Sequence, residues 1–217
     1  MSSVPHSDNP HATPQPLRVG VFGGAFDPPH LAHVQLAQAA LTQFNLDCLH
    51  VIPTGHAWHK ARALTESSHR LAMARLAFAD MPQVVVDTRE IERNGPTYTV
   101  DSLTSLQHEF PAAALFLFIG ADQAEAFKTW HRWQDILNMA TVVVADRPRE
   151  GGHAQEPHQT QWHNAVSPNV QHLDMPSLAI SATEIRSHLA QALQTPLWLP
   201  SSVQHYIDQH RLYALKR

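Results

Sequence analysis

The chain has one cysteine, Cys48, in 217 residues. A lone thiol cannot close an intrachain disulfide, so a disulfide scaffold is excluded and a reducing cytoplasm is the expected compartment. No run of about 18 apolar residues occurs, so no membrane-spanning helix is expected. Basic charge is not in surplus: 15 Lys and Arg face 19 Asp and Glu, a formal net charge of −4. That balance argues against the broad basic footprint of a nucleic-acid binder. It leaves room for a small anionic substrate, which needs only a few groups placed locally. The first 16 residues, MSSVPHSDNPHATPQP, lack the basic start and apolar core of a signal peptide. Their Pro, Ser and His content reads as a disordered tail.

Histidine, by contrast, is plentiful, at 17 residues. His153, His158 and His163 lie in a polar stretch over 147–169 that holds Gly151 and Gly152 and is read as a loop or insertion. Metal ligands need convergent geometry, which this stretch does not announce, so it reads as a solvated bias. Hydrophobic content of 43% and charged content of 16% describe a globular chain. Its length suits one α/β domain, over 17–217, with a sizeable core.

Apolar runs expected as strands are Leu17 to Phe22, Cys48 to Pro53, Val84 to Asp87, Leu115 to Gly120, Thr141 to Asp146 and, weakly, VQHLDM. Helical periodicity or helix-start signals mark His30 to Phe44, the segment from Ser67 or Ser68 through Phe78, Thr99 to Phe110, a short helix after IGAD, Ser181 to Leu193, and Ser201 to His210. Strands alternating with helices imply a Rossmann-like parallel sheet with right-handed crossovers, flanked by helices. Ligands of such sheets bind at the carboxyl ends of the strands. The stretches GGAFDPPHLAH, IGAD and ISATEIR all fall on that edge.

In GGAFDPPHLAH, Gly23 and Gly24 permit close approach of backbone to a ligand. A turn fixed by Pro28 and Pro29 then opens a helix, whose N-terminus favours phosphate. His30 and His33 share a helix face and can donate to phosphate oxygens. The G-x-G-x-x-G and Walker patterns are absent, which excludes an ordinary nicotinamide-dependent dehydrogenase and a P-loop enzyme. No Ser-His-Asp or Cys-His pattern stands out. On these residues alone a phosphate cradle, a zinc site without its Glu or third ligand, and a plain strand–turn–helix all stay open. In ISATEIR, Ser181 or Thr183 can cap a helix and Arg186 lies on the same face as Thr183, which suits a polyphosphate or an ordinary capped helix.

Taken together, the two segments resemble the nucleotidylyltransferase superfamily. GGAFDPPHLAH, a loop ending in HK, GPTYTVDSL, FIGAD, TWHRW, ADRP and ISATEIR follow the order expected of bacterial nicotinate-mononucleotide adenylyltransferases, from Val19 to Tyr213. The resemblance implies transfer of the adenylyl group of ATP to nicotinate mononucleotide, giving deamido-NAD and pyrophosphate. It implies Mg²⁺ carried by the ATP phosphates and no protein-bound metal. Its siblings act on nicotinamide mononucleotide or phosphopantetheine, and a non-catalytic nucleotide-binding protein is the alternative from another class.

The resemblance carries roles onto particular residues. Gly23, Gly24, Phe26 and Asp27 form the turn that meets both substrates, Asp27 on the acceptor side. His30 and His33 hold ATP phosphates, with His33 stabilising the α-phosphoryl group, and Arg186 joins Ser181 and Thr183 on the outer phosphates. Gly120 and Asp122 meet the ATP ribose. His59 and Lys60 reach a phosphate from their loop. Thr97, Tyr98, Thr99, Trp130 and His131 surround the pyridine ring. Three positions depart from the family pattern: Ala25 for threonine, Ala32 for the glycine of H-x-G-H, and His131 for the more usual tyrosine.

Overall fold

The computed structural model describes residues 15–55, 64–145, 170–175, 178, 180–191, 193 and 197–214. Six strands form one sheet: β1 (Arg18–Gly24), β2 (Cys48–Pro53), β3 (Val84–Val86), β4 (Ala114–Gly120), β5 (Ala140–Ala145) and β6 (Val170–Leu173). Every pairing is parallel, in the order β3-β2-β1-β4-β5-β6. The helices are α1 (Leu31–Gln43), α2 (Ser67–Ala77), α3 (Arg89–Glu92), α4 (Thr99–Glu109), α5 (Ala121–Glu125), α6 (Trp133–Met139), α7 (Ala182–Ala190) and α8 (Ser201–His210). A 3₁₀ turn covers Phe127–Thr129.

The central strands are apolar along their length because both faces are covered. Alternate residues divide between two cores. Phe22, Val51, Phe118 and Val143 pack with Leu36 of α1, Met73 of α2, Ile185 of α7 and Val203 of α8. Val21, Ile52, Leu117 and Val144 pack on the other face with Leu103 of α4 and Ile136 of α6. Strand order reverses between β1 and β4, so a crevice opens beyond their carboxyl ends.

The expected elements are present, with shifted ends. β1 runs on through Gly23 and Gly24. His30 is the residue before α1 rather than its first, and Tyr98, not Thr99, precedes α4. α7 stops at Ala190. Neither the short α3, which has too few residues to show a period, nor α6 was expected. The disordered tail lies outside the described residues up to residue 14, and the stretch 147–169 lies wholly outside them.

A charged cluster ties the β3 edge together. Asp87 accepts from His50 Nδ1 on β2 at 2.8 Å and from Arg89 at 2.6 Å, and Arg89 reaches Glu109 of α4 at 3.1 Å. Burial would raise the Asp87 carboxyl, but the His50 and Arg89 hydrogen bonds outweigh it and hold the group well below the usual range. A depressed folded pKa contributes stability that is complete above the unfolded value, about 3.9, and fades as pH falls towards the folded one. Asp87→Asn is therefore expected to lower stability by about 3 kcal/mol at neutral pH. Urea midpoints should show the gap to wild type narrowing at pH 3, and a constant gap would refute this role.

Candidate active site

The crevice at the β1/β4 reversal is a cavity of about 610 Å³. One wall is the end of β1: Gly23, Gly24 and Ala25 line it, with Thr54 after β2. A Cβ placed on Gly23 would meet no heavy atom within 4 Å, so bare backbone faces open space there. A ligand can approach such backbone to hydrogen-bond distance. Thr97, Tyr98 and Thr99 line the same cavity, with Asp122, Trp130 and His131. Tyr98 and His131 have ring centroids 4.3 Å apart at 33°, and Trp130 lies 5.3 Å from the buried Phe127 ring. Six expected site residues, Thr97, Tyr98, Thr99, Asp122, Trp130 and His131, thus meet the two glycines in one space.

Beside this cavity the chain turns sharply into α1. Phe26, expected in the turn that meets the substrates, has φ 47° and is 1% exposed, so its ring is part of the core. Its ring packs edge-on to Phe22, His33 and Phe78. His30 and His33 stack, with centroids 3.7 Å apart at 29°. The backbone N–H of His30 donates to His33 Nδ1 at 3.1 Å. That bond assigns Nδ1 as an acceptor, so the proton of the neutral His33 ring sits on Nε2. Ala32, on the first turn of α1, is half-buried against the core. A methyl group is accommodated where the family pattern has glycine.

Asp27, expected on the acceptor side, is turned into the protein at 2% exposure. Its Oδ1 accepts from the Tyr213 hydroxyl at 2.7 Å and its Oδ2 from the Thr65 N–H at 3.3 Å. Burial, and then the Asp27 charge, push the Tyr213 phenol far up, so it keeps its proton and donates. The Asp27 carbonyl accepts from Arg186 Nη1 at 2.7 Å. Arg70, 2% exposed, donates from Nη1 to the Ala25 carbonyl at 3.0 Å and from Nε to the Thr65 carbonyl at 2.9 Å. Burial lowers its pKa against the raising pull of Asp27 and Tyr213. The turn is thereby gripped by α2, α7 and the segment after α8.

At α7, Ser181 Oγ accepts from the Glu184 N–H at 3.1 Å, an ordinary N-cap. Arg186 Nη2 donates to Thr183 Oγ1 at 3.0 Å. The arginine thus spans from its own helix to the turn before α1. Gly120 does not offer its N–H to the cavity, since Gln123 Oε1 takes it at 2.9 Å. His59 and Lys60 lie outside the described residues.

Three residues of this region escaped the sequence reading. Arg70 left a signal: a charge among Met73, Ala74 and Ala77 on the buried stripe of α2. Tyr213 left none beyond being a late aromatic. Glu90, in the charged run DTREIER, left none either, yet it lines the cavity at 8% exposure. Burial pushes its carboxyl up, opposed by hydrogen bonds from Ser102, Gly55 and Thr97 and by the charge of Arg93.

The fold and this edge define a nucleotidylyltransferase-like α/β domain, and residues 21–188 match the family model described as cytidylyltransferase-like. The chain belongs to that family. It is 48% identical over 196 residues, 90% of this chain and 98% of the relative, to a "probable nicotinate-nucleotide adenylyltransferase" of Albidiferax ferrireducens. It is 40% identical over 212 residues, 95% and 97% of the two chains, to a protein of the same description in Methylibium petroleiphilum. Among solved structures, Plasmodium falciparum nicotinic acid mononucleotide adenylyltransferase complexed with APC superposes with a TM-score of 0.72 at 18% identity, over 91% of this chain and 97% of that one. That likeness is one of fold.

Proposed function

We infer that this chain transfers the adenylyl group of ATP to nicotinate mononucleotide, giving deamido-NAD and pyrophosphate in NAD biosynthesis. Relatives up to 48% identical, described as nicotinate-nucleotide adenylyltransferases, support the reaction. One structural observation carries it: bare glycine backbone at Gly23 and an aromatic group of Tyr98, Trp130 and His131 bound the same cavity. The first suits a nucleotide's phosphates and the second a flat, electron-poor ring.

In this reading a phosphate oxygen of the mononucleotide attacks the α-phosphorus of ATP in line. A P–O bond forms there as the bond to the β-phosphate oxygen breaks, and pyrophosphate leaves. Such a reaction needs positioning and charge stabilisation rather than a protein nucleophile. His33, donating from Nε2, stabilises charge on the α-phosphoryl oxygens. Arg186 holds the outer phosphates beside the turn, and the start of α1 lends its dipole. The nicotinate carboxylate meets the N-terminus of α4, where Tyr98 and Thr99 line the cavity. Mg²⁺ enters with ATP. Its chemistry there would be to bridge and neutralise the phosphate oxygens of ATP.

Trp130→Ala tests the acceptor side. Loss of one stacked ring is expected to raise KM for nicotinate mononucleotide about tenfold and leave KM for ATP within about twofold. Equal rises in steady-state kinetics would contradict the assignment of Trp130 to the acceptor.

A further inference from the structure

Glu90 is the one acidic side chain on the cavity wall that is nearly out of solvent, at 8% exposure, among the described residues. Its Oε1 accepts from Ser102 Oγ at 3.0 Å. The Gly55 backbone N–H and the Thr97 hydroxyl also favour the charged carboxyl. These three donors draw Glu90 towards the protein rather than towards a ligand.

The three donors come from three segments. Gly55 follows β2, Thr97 begins the Thr97–Tyr98–Thr99 wall, and Ser102 stands in the first turns of α4. The packing is close: a Cβ on Gly55 would fall 1.9 Å from the Glu90 carbonyl oxygen and 3.2 Å from Thr97 Cγ2. Only glycine fits against the backbone carbonyl of Glu90 here, so the end of β2 lies tightly on this segment.

We propose that Glu90 is a positioning residue for the acceptor half of the site: its carboxyl pins the end of β2, the Thr97–Thr99 wall and α4 into the shape that receives the mononucleotide. This rests on the acceptor inferred above. Charge and hydrogen bonding are both required, because a glutamine in the same place must turn an NH₂ donor towards one of three donors. The turn on the ATP side has further anchors of its own in Arg70, Arg186 and Tyr213, and Arg70 Nη2 also reaches the Gly55 carbonyl at 3.5 Å.

The test is steady-state kinetics of the full chain with ATP and nicotinate mononucleotide, alongside thermal melts. Glu90→Gln is expected to raise KM for the mononucleotide about tenfold or more, with KM for ATP within about twofold and kcat within about threefold. Ser102→Ala, which removes one donor of three, should raise the same KM by a few-fold and spare the other two constants. A folded Glu90→Gln protein with unchanged acceptor KM overturns the role, as does a parallel rise of both KM values, which a merely structural residue would give. Should Glu90→Gln fail to fold, an unchanged acceptor KM in Ser102→Ala overturns it instead. Wild type that does not turn over this acceptor defeats the inferred reaction itself. Normal wild type with unaffected variants defeats the Glu90 role alone.

Discussion

His33→Ala is expected to lower kcat by about 100- to 1,000-fold, the usual loss when one preorganised donor to a developing negative charge is removed. The expectation follows from the bond between the His30 N–H and His33 Nδ1, which directs the ring proton to Nε2. Truncation also unpacks the ring from Phe26 and His30. His33→Asn separates the two effects. Its Oδ1 can take the place of Nδ1 and keep the helix-start bond, but nothing stands where Nε2 was. The account expects His33→Asn to melt close to wild type and to lose nearly as much turnover as His33→Ala. Near-normal turnover in either folded variant would remove His33 from the chemistry.

Arg186→Ala is expected to reduce kcat/KM for ATP by about 100-fold, the loss of two charge-assisted hydrogen bonds. Two effects combine. A cation leaves the phosphate side, and the Asp27 carbonyl loses the donor that holds the turn at 2.7 Å. Arg186→Lys keeps the charge but cannot bridge Asp27 and Thr183 as the planar fork does. It should recover less than half of the loss in free-energy terms. The acceptor KM should move less than about twofold in both variants. A variant that weakens the acceptor as much as ATP would place Arg186 in a general structural role.

How far the sequence could be read depended on range. The parallel sheet was legible because its strands are unbroken apolar runs such as LFLFIG and TVVVA, which only burial on both faces explains. Thr97 to Thr99, Trp130 and His131 were legible through motif order, and they do share one wall. Asp27 was placed on the acceptor side by the family resemblance. Its carboxyl partners, Tyr213 and Thr65, lie 186 and 38 residues away, and no local pattern announces them. The inward turn of the Phe26 ring was equally unannounced, since it follows from a positive φ. Glu90 was invisible because one carboxyl among DTREIER differs from the others only in burial, which tertiary packing decides.

The same contrast explains the departures from the family pattern. Ala32 sits within a regular helix turn, where a methyl group costs nothing. Ala25 contributes its carbonyl to Arg70, a bond that any side chain there would permit.

The most direct test is pyrophosphate release by the purified chain with Mg²⁺ and ATP, comparing nicotinate mononucleotide with nicotinamide mononucleotide. One pyrophosphate per deamido-NAD formed is expected, with a higher kcat/KM for the acid, as the proposed contact of its carboxylate with the N-terminus of α4 requires. Absence of pyrophosphate with the acid, or a preference for the amide, would contradict this expectation.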